Sequence, residues 1–142
     1  MNNPVENQVR IEQLNALAPG FIKMLGGKIV AIDVGAASCT FEFDVSTDFC
    51  HSVDVVQGGF VTAMLDAAMS HAVFAALDNI ANVSSLEIKT SYLEPSRAGY
   101  QRVVGTIVKS SYKTAFLEAH CYNSDGLLTA TASSVAKLVR AS

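Results

Sequence analysis

At 142 residues with a net charge of −3, the chain has room for one domain (1–142) and not for two ordinary ones. Half of its residues are hydrophobic and 16% are charged, which favours a packed core over disorder. Lys and Arg form no block, so a surface that neutralises nucleic-acid phosphates is excluded. The start, MNNPVENQVRIEQ, is polar and lacks the apolar core of a signal peptide. A soluble, cytoplasmic protein that meets neither membrane nor nucleic acid is therefore expected.

In chain order, Val9, Ile11, Leu14 and Leu17 suit a short amphipathic helix over 7–18, ended by Pro19-Gly20. Gly26-Gly27 marks a turn, and strand-like runs follow at 28–34 and 38–45. In the second run Phe41, Phe43 and Val45 alternate with Glu42 and Asp44, the period of a half-buried strand. Residues 58–77 then form the longest apolar stretch, enough for a helix of about 30 Å. Asp66, Ser70 and His71 interrupt it, which is costly in a membrane but normal for an enclosed helix. Four more strands are predicted near 83–93, 100–110, 113–123 and 127–138, with Asp125-Gly126 as a hairpin signal. The order predicts an α+β fold with an antiparallel sheet, its last four strands in meander. Cys39, Cys50 and Cys121 are widely spaced and form no CxxC pair, so no metal site or disulfide framework is signalled.

Steps of 100° place Thr62, Ala63, Asp66 and Ser70 in one stripe of the long helix. Phe60, Val61, Met64, Leu65, Ala68 and Ala72 fill the other faces. A carboxylate there is either catalytic or the mark of a solvent-facing edge, and spacing alone does not choose. Gly58-Gly59 tilts the choice. Two glycines at a helix start let another molecule approach free N–H groups at the positive end of the dipole. Such groups can polarise a carbonyl that gains negative charge during attack.

The stretch His51-Ser52-Val53-Asp54-Val55-Val56-Gln57-Gly58-Gly59, with Asp66 eight positions after Gly58, resembles the signature of hotdog-fold acyl-CoA thioesterases of the phenylacetate-degradation (PaaI) type. Tyr92-Leu93-Glu94-Pro95-Ser96-Arg97-Ala98-Gly99 and Asp125-Gly126-Leu127-Leu128-Thr129-Ala130 are similar to two further elements of that family. The likeness spans about residues 15–138. It implies a sheet wrapped around one long central helix, paired subunits, and sites at a homodimer interface, often within a homotetramer. It implies that Gly58 offers its N–H to the thioester carbonyl, while Asp66 attacks that carbon or activates water. Gly59 would also contact substrate, Ser70 would orient the acid, and Ser84 or Ser85 would assist water, with the register left open. Gln57 stands where the family has His, and His51 where it has Asn. Gln keeps hydrogen-bonding ability, and His51 is expected to orient water or substrate as an auxiliary group. His71 and His120 are read as core or surface residues.

Two other readings stay open: a hotdog acyl-CoA dehydratase using His51 and Asp66, and a non-catalytic acyl-CoA-binding protein. The thioesterase expectation is a medium-chain or aromatic acyl-CoA as substrate, with coenzyme A entering as part of it and no separate cofactor. The anionic nucleotide needs cations, with Lys89, Arg97, Arg102, Lys109 and Lys113 as candidates. Ala63, Ala67 and Ala68 leave space for the acyl chain.

Overall fold

The computed structural model describes residues 2–142 and opens on helix α1 (Pro4–Ala16). Its start is fixed locally: the Asn3 side chain accepts from the N–H groups of Val5 and Glu6 at 3.0 and 3.2 Å, and Pro4 takes the first helical position. The helix thus begins earlier than its apolar residues indicate. Pro19-Gly20 does end it, but Pro19 also precedes a second, short helix, α2 (Gly20–Met24), which hydropathy does not reveal. Asn15 clamps α1 to the sheet, donating to the Ile29 carbonyl at 3.0 Å and accepting from the Ile29 N–H at 2.8 Å.

Strands β1 (Gly27–Asp33) and β2 (Ser38–Val45) lead to a 3-10 turn (Thr47–Phe49). A small hairpin, β3 (Cys50–Ser52) with β4 (Val55–Val56), precedes the long helix α3 (Gly58–Ala76). Then follow β5 (Ile80–Tyr92), β6 (Gly99–Ser110), β7 (Thr114–Asn123) and β8 (Leu128–Arg140). Six strands form one antiparallel sheet in the order β1-β2-β6-β7-β8-β5 around α3.

That order corrects the expected four-strand meander. Only β6, β7 and β8 run as one, and β5 lies at the far edge beside β8. The 93–98 connection carries Pro95 and no tight-turn dipeptide. Leu93 and Glu94 donate their N–H groups to the Thr129 carbonyl at 2.9 and 3.1 Å, so the chain crosses the end of β8 instead of folding back on β5. One flank of β5 is left as a free sheet edge, with Leu86 65% exposed.

The core lies between α3 and the inner sheet face, where Met64, Leu65, Ala68, Met69 and Ala72 meet Phe41, Phe43, Val103 and Leu117, all buried. Gly105 on β6 sets the spacing. A Cβ there would stand 2.1 Å from the Ala68 carbonyl oxygen, a backbone atom that cannot swing aside. The stripe of Thr62, Ala63, Asp66 and Ser70 is the less buried side of α3. By length and composition α3 is apolar enough to cross a membrane, yet here it is the core helix of the sheet.

Candidate active site

A helix start leaves N–H groups without intrahelical partners, and a capping side chain usually answers some of them. In α3 none does: Gln57 sits at the cap position, exposed, with no side-chain bond to the helix. The Gln57 N–H donates to the Phe49 carbonyl at 2.9 Å, and its own carbonyl accepts from Phe60 and Val61. The N–H groups of Gly58 and Gly59 have no partner among the described residues. Gly59 is bare, with nothing within 4 Å of where a Cβ would stand. Gly58 is covered differently, because the Tyr92 ring lies 3.1 Å from its own Cβ position.

Gly58 and Tyr92 line a cleft of about 320 Å³ with Val61, Pro95, Ser96 and His51. His51, on β3, is exposed, and its Nδ1 is 2.8 Å from the Ser52 hydroxyl. The hairpin holding it is stitched to the 93–98 connection. Val56 donates to the Ser96 carbonyl and Ala98 to that of Asp54, each at 2.8 Å, and Arg97 pairs with Asp54 at 2.7 Å. That ion pair is well exposed, so it positions a loop more than it stabilises the fold.

Asp66 stands two turns further along α3, about 12 Å by helical rise. The Ser85 hydroxyl donates to Asp66 Oδ1 at 2.8 Å, which resolves the open register. Ser84 turns elsewhere, its hydroxyl accepting from Asn82 at 3.2 Å. The β5–β8 ladder shifts register between Ser85 and Glu87, and such a bulge re-aims side chains in a way that periodicity cannot show.

Asp66 and Ser70 lie on the wall of a second, larger cavity of about 570 Å³. Leu14 of α1 and Leu17 just past its end, Phe21 of α2, Phe74 of α3, and Ile80 and Val83 of β5 supply its apolar surface. Arg10, also on this wall, donates to the Phe74 carbonyl near the end of α3 and so holds α1 over the opening. His71 is buried at the same wall, and its Nδ1 lies 2.8 Å from the Ala67 carbonyl. A carbonyl only accepts, so Nδ1 carries the proton and Nε2 is left as an acceptor. Burial holds the His71 pKa below the usual imidazole value, outweighing the Ala67 bond and the Asp66 charge, which both favour protonation.

The candidate cations are scattered. Lys89 shares a shallow depression on the outer sheet face with Glu118 and His120, and Arg102 stacks on Tyr122 at 4.4 Å. Lys109 and Lys113 are exposed. Among the described residues, no three His, Cys, Asp or Glu side chains gather as a metal site. Burial pushes the Cys39 thiol up to about 12 and raises that of Cys121, so neither is a nucleophile. The chemistry available is thus a carboxylate beside an apolar chamber and a pair of free backbone donors at the mouth of the same helix.

The model of the thioesterase superfamily matches residues 54–130, more than half of the chain. No curated protein matches significantly. Among solved structures, a phenylacetic acid degradation-related protein of Ralstonia eutropha is similar at 30% identity and a TM-score of 0.81, over 90% of this chain and 98% of that one. A Haemophilus influenzae thioesterase shares the fold at 19% identity and TM-score 0.81, covering 92% and 90% of the two chains. The E. coli PaaI protein from the phenylacetic acid degradation operon does so at 16% identity and TM-score 0.81, covering 94% and 96%. The antiparallel sheet around one long helix is the hotdog fold of these neighbours. With the family model matched across the helix that carries Gly58 and Asp66, and the Ralstonia relative 30% identical over 90% of the chain, the chain belongs to the thioesterase superfamily.

Proposed function

We propose that the protein hydrolyses coenzyme A thioesters of medium-chain or aromatic acids, acting in the cytoplasm as a homodimer or homotetramer whose sites each draw on two subunits. Membership in the superfamily supports thioester hydrolysis. The observation that carries the finer reading is the Asp66 carboxylate, held by Ser85 on the wall of a largely apolar cavity of about 570 Å³. That volume lies in the range of small-molecule sites. Its apolar walls suit an acyl chain, since each buried methylene contributes about 0.8 kcal/mol. The name of the Ralstonia relative adds support for an aromatic acyl group.

Two subunits are invoked because of distance. A thioester oxygen held about 3 Å from the Gly58 N–H lies roughly 12 Å along the helix from Asp66 of the same chain. Asp66 of a second copy, docked across the open stripe of α3 and the free edge of β5, removes that separation. There Asp66 either adds to the carbonyl carbon or takes a proton from water that adds. The oxygen gains charge facing the helix N–H groups, and collapse breaks the C–S bond to release coenzyme A as thiolate. In the first route water then hydrolyses the acyl–Asp66 anhydride to the free acid, and in the second the proton taken by Asp66 passes to the thiolate.

The test is thiol release from a panel of acyl-CoAs. Octanoyl- and phenylacetyl-CoA are expected to exceed acetyl-CoA in kcat/KM, and Asp66→Ala to lose on the order of 10²-fold or more in kcat while remaining folded. A profile peaking at acetyl-CoA refutes the substrate reading. An Asp66→Ala protein with near-native turnover refutes the assignment. Water addition to an enoyl-CoA without thiol release transfers the site to the dehydratase class.

A further inference from the structure

Three hydroxyls connect β5 to the start of α3. Thr90 Oγ1 is 2.9 Å from Thr62 Oγ1, Thr62 Oγ1 is 2.8 Å from the Tyr92 hydroxyl, and that hydroxyl is 2.8 Å from the Gly58 carbonyl oxygen. Each hydroxyl has a single proton, and the carbonyl can only accept. Tyr92 therefore donates to Gly58, so Thr62 must donate to Tyr92 and Thr90 to Thr62. The chain has one direction and ends on the peptide joining Gly58 to Gly59.

A peptide unit is conjugated, so a donor on its oxygen draws charge from nitrogen and strengthens the N–H at its other end. That other end is the Gly59 N–H, which has no partner among the described residues, and the space beside it where a Cβ would stand is empty. The Tyr92 ring also lies against Gly58, 3.1 Å from where a Cβ would stand, so a side chain there would have to push the ring aside.

We propose that Tyr92 is a positioning residue that orients and polarises the Gly58–Gly59 peptide, making the Gly59 N–H a second oxyanion donor beside that of Gly58, with Thr62 and Thr90 as its relay. This rests on the thioesterase reading above. The relay adds nothing to the pocket that holds the acyl group, so its effect falls on kcat and leaves KM nearly unchanged.

The experiment compares Tyr92→Phe, Thr62→Val and Thr90→Val, each close in shape and lacking one hydroxyl. Loss of a direct oxyanion donor costs 10²–10³ in kcat, so loss of the group that only strengthens one is expected to cost about tenfold in Tyr92→Phe. Thr62→Val should lose less and Thr90→Val least, since each breaks the chain one step further from the peptide. The second readout is independent of turnover: the ¹⁵N resonance of Gly59 in glycine-labelled protein, where only nine glycines report. It should move upfield in Tyr92→Phe and by smaller steps in the two threonine variants. An unmoved Gly59 resonance, or kcat within twofold of the parent, overturns the proposal. If Tyr92→Phe fails to fold, Thr62→Val decides by the same two criteria. If the parent cleaves no acyl-CoA, the thioesterase reading fails, and the Gly59 resonance alone then supports or refutes the relay.

Discussion

The two ends of α3 differ in kind. Its N-terminal end presents N–H groups without partners among the described residues, and a cleft lined by an exposed histidine and by Tyr92, whose hydroxyl is linked to those of Thr62 and Thr90. Two turns on, the same helix presents a serine-held carboxylate above an apolar chamber closed by the N-terminal helices. The first end can stabilise negative charge on oxygen, and the carboxylate that lines its cleft, Glu94, is exposed on the 93–98 connection rather than carried by the helix. The second can deliver a base or nucleophile and hold a chain, and its buried histidine is an acceptor. Helical geometry keeps the Gly58 N–H and Asp66 about 12 Å apart within one chain, the separation on which the two-subunit proposal rests. The lesson is that one rigid element can carry a donor end and an acid end that its own geometry holds apart.

Subunit exchange puts this comparison to its severest test. Gly58→Val, whose side chain must displace the Tyr92 ring, damages only the donor end. Asp66→Ala damages only the acid end. Each variant alone should be nearly inactive. Unfolded together and refolded, half of the dimers are hybrids with one intact site of two, so about a quarter of parental turnover should return. Failure to recover activity, with hybrids shown to form by mass spectrometry, means that each site lies within one chain.

A smaller effect separates the chamber from the chemistry. Leu14 reaches the cavity from α1, remote in sequence from both ends of α3. Leu14→Trp should fill part of the chamber and exclude about three methylenes of an octanoyl chain. At about 0.8 kcal/mol each, that lowers kcat/KM for octanoyl-CoA on the order of 50-fold. Acetyl-CoA, which never reaches Leu14, should be cleaved as before. Equal losses for both substrates would place the acyl chain elsewhere.

Periodicity and turn chemistry make much of this legible in the sequence. Strand β2 and the bounds of α3 follow from alternation and from the apolar run between Gly58 and Leu77. Asp66 and the free glycines stand out because a carboxylate and a Gly-Gly pair are unusual in such a helix. What stays hidden depends on pairing between distant segments. The place of β5 at the sheet edge is set by a six-residue crossover, since edge and central strands share the same period. The choice of Ser85 over Ser84 turns on a bulge. Tyr92 is visible only as the first residue of a strand-ending motif, and its contact with Gly58 spans 34 positions. The chamber wall from α1 and α2 is likewise invisible, because Leu14 and Phe21 read as ordinary apolar residues.

The smallest expected effect belongs to His51, and it bears on how far the donor end does chemistry of its own. His51 shares the cleft with Gly58 but lies in a different opening from Asp66 of the same chain. Its Nδ1 is engaged with Ser52, so one ring nitrogen remains for water or substrate. Asn offers a donor and an acceptor at similar reach, so His51→Asn should keep kcat/KM within about threefold, less than the worth of one hydrogen bond. His51→Ala removes the contact altogether and should cost about tenfold. An auxiliary group that only orients water leaves the acid limb of the pH–rate profile in place when Asn replaces it. If His51→Asn instead abolishes that limb and inactivates the enzyme as fully as Asp66→Ala, the cleft holds a primary acid–base group. The two ends of α3 would then be two catalytic centres, and the division into donor and acid ends would be wrong.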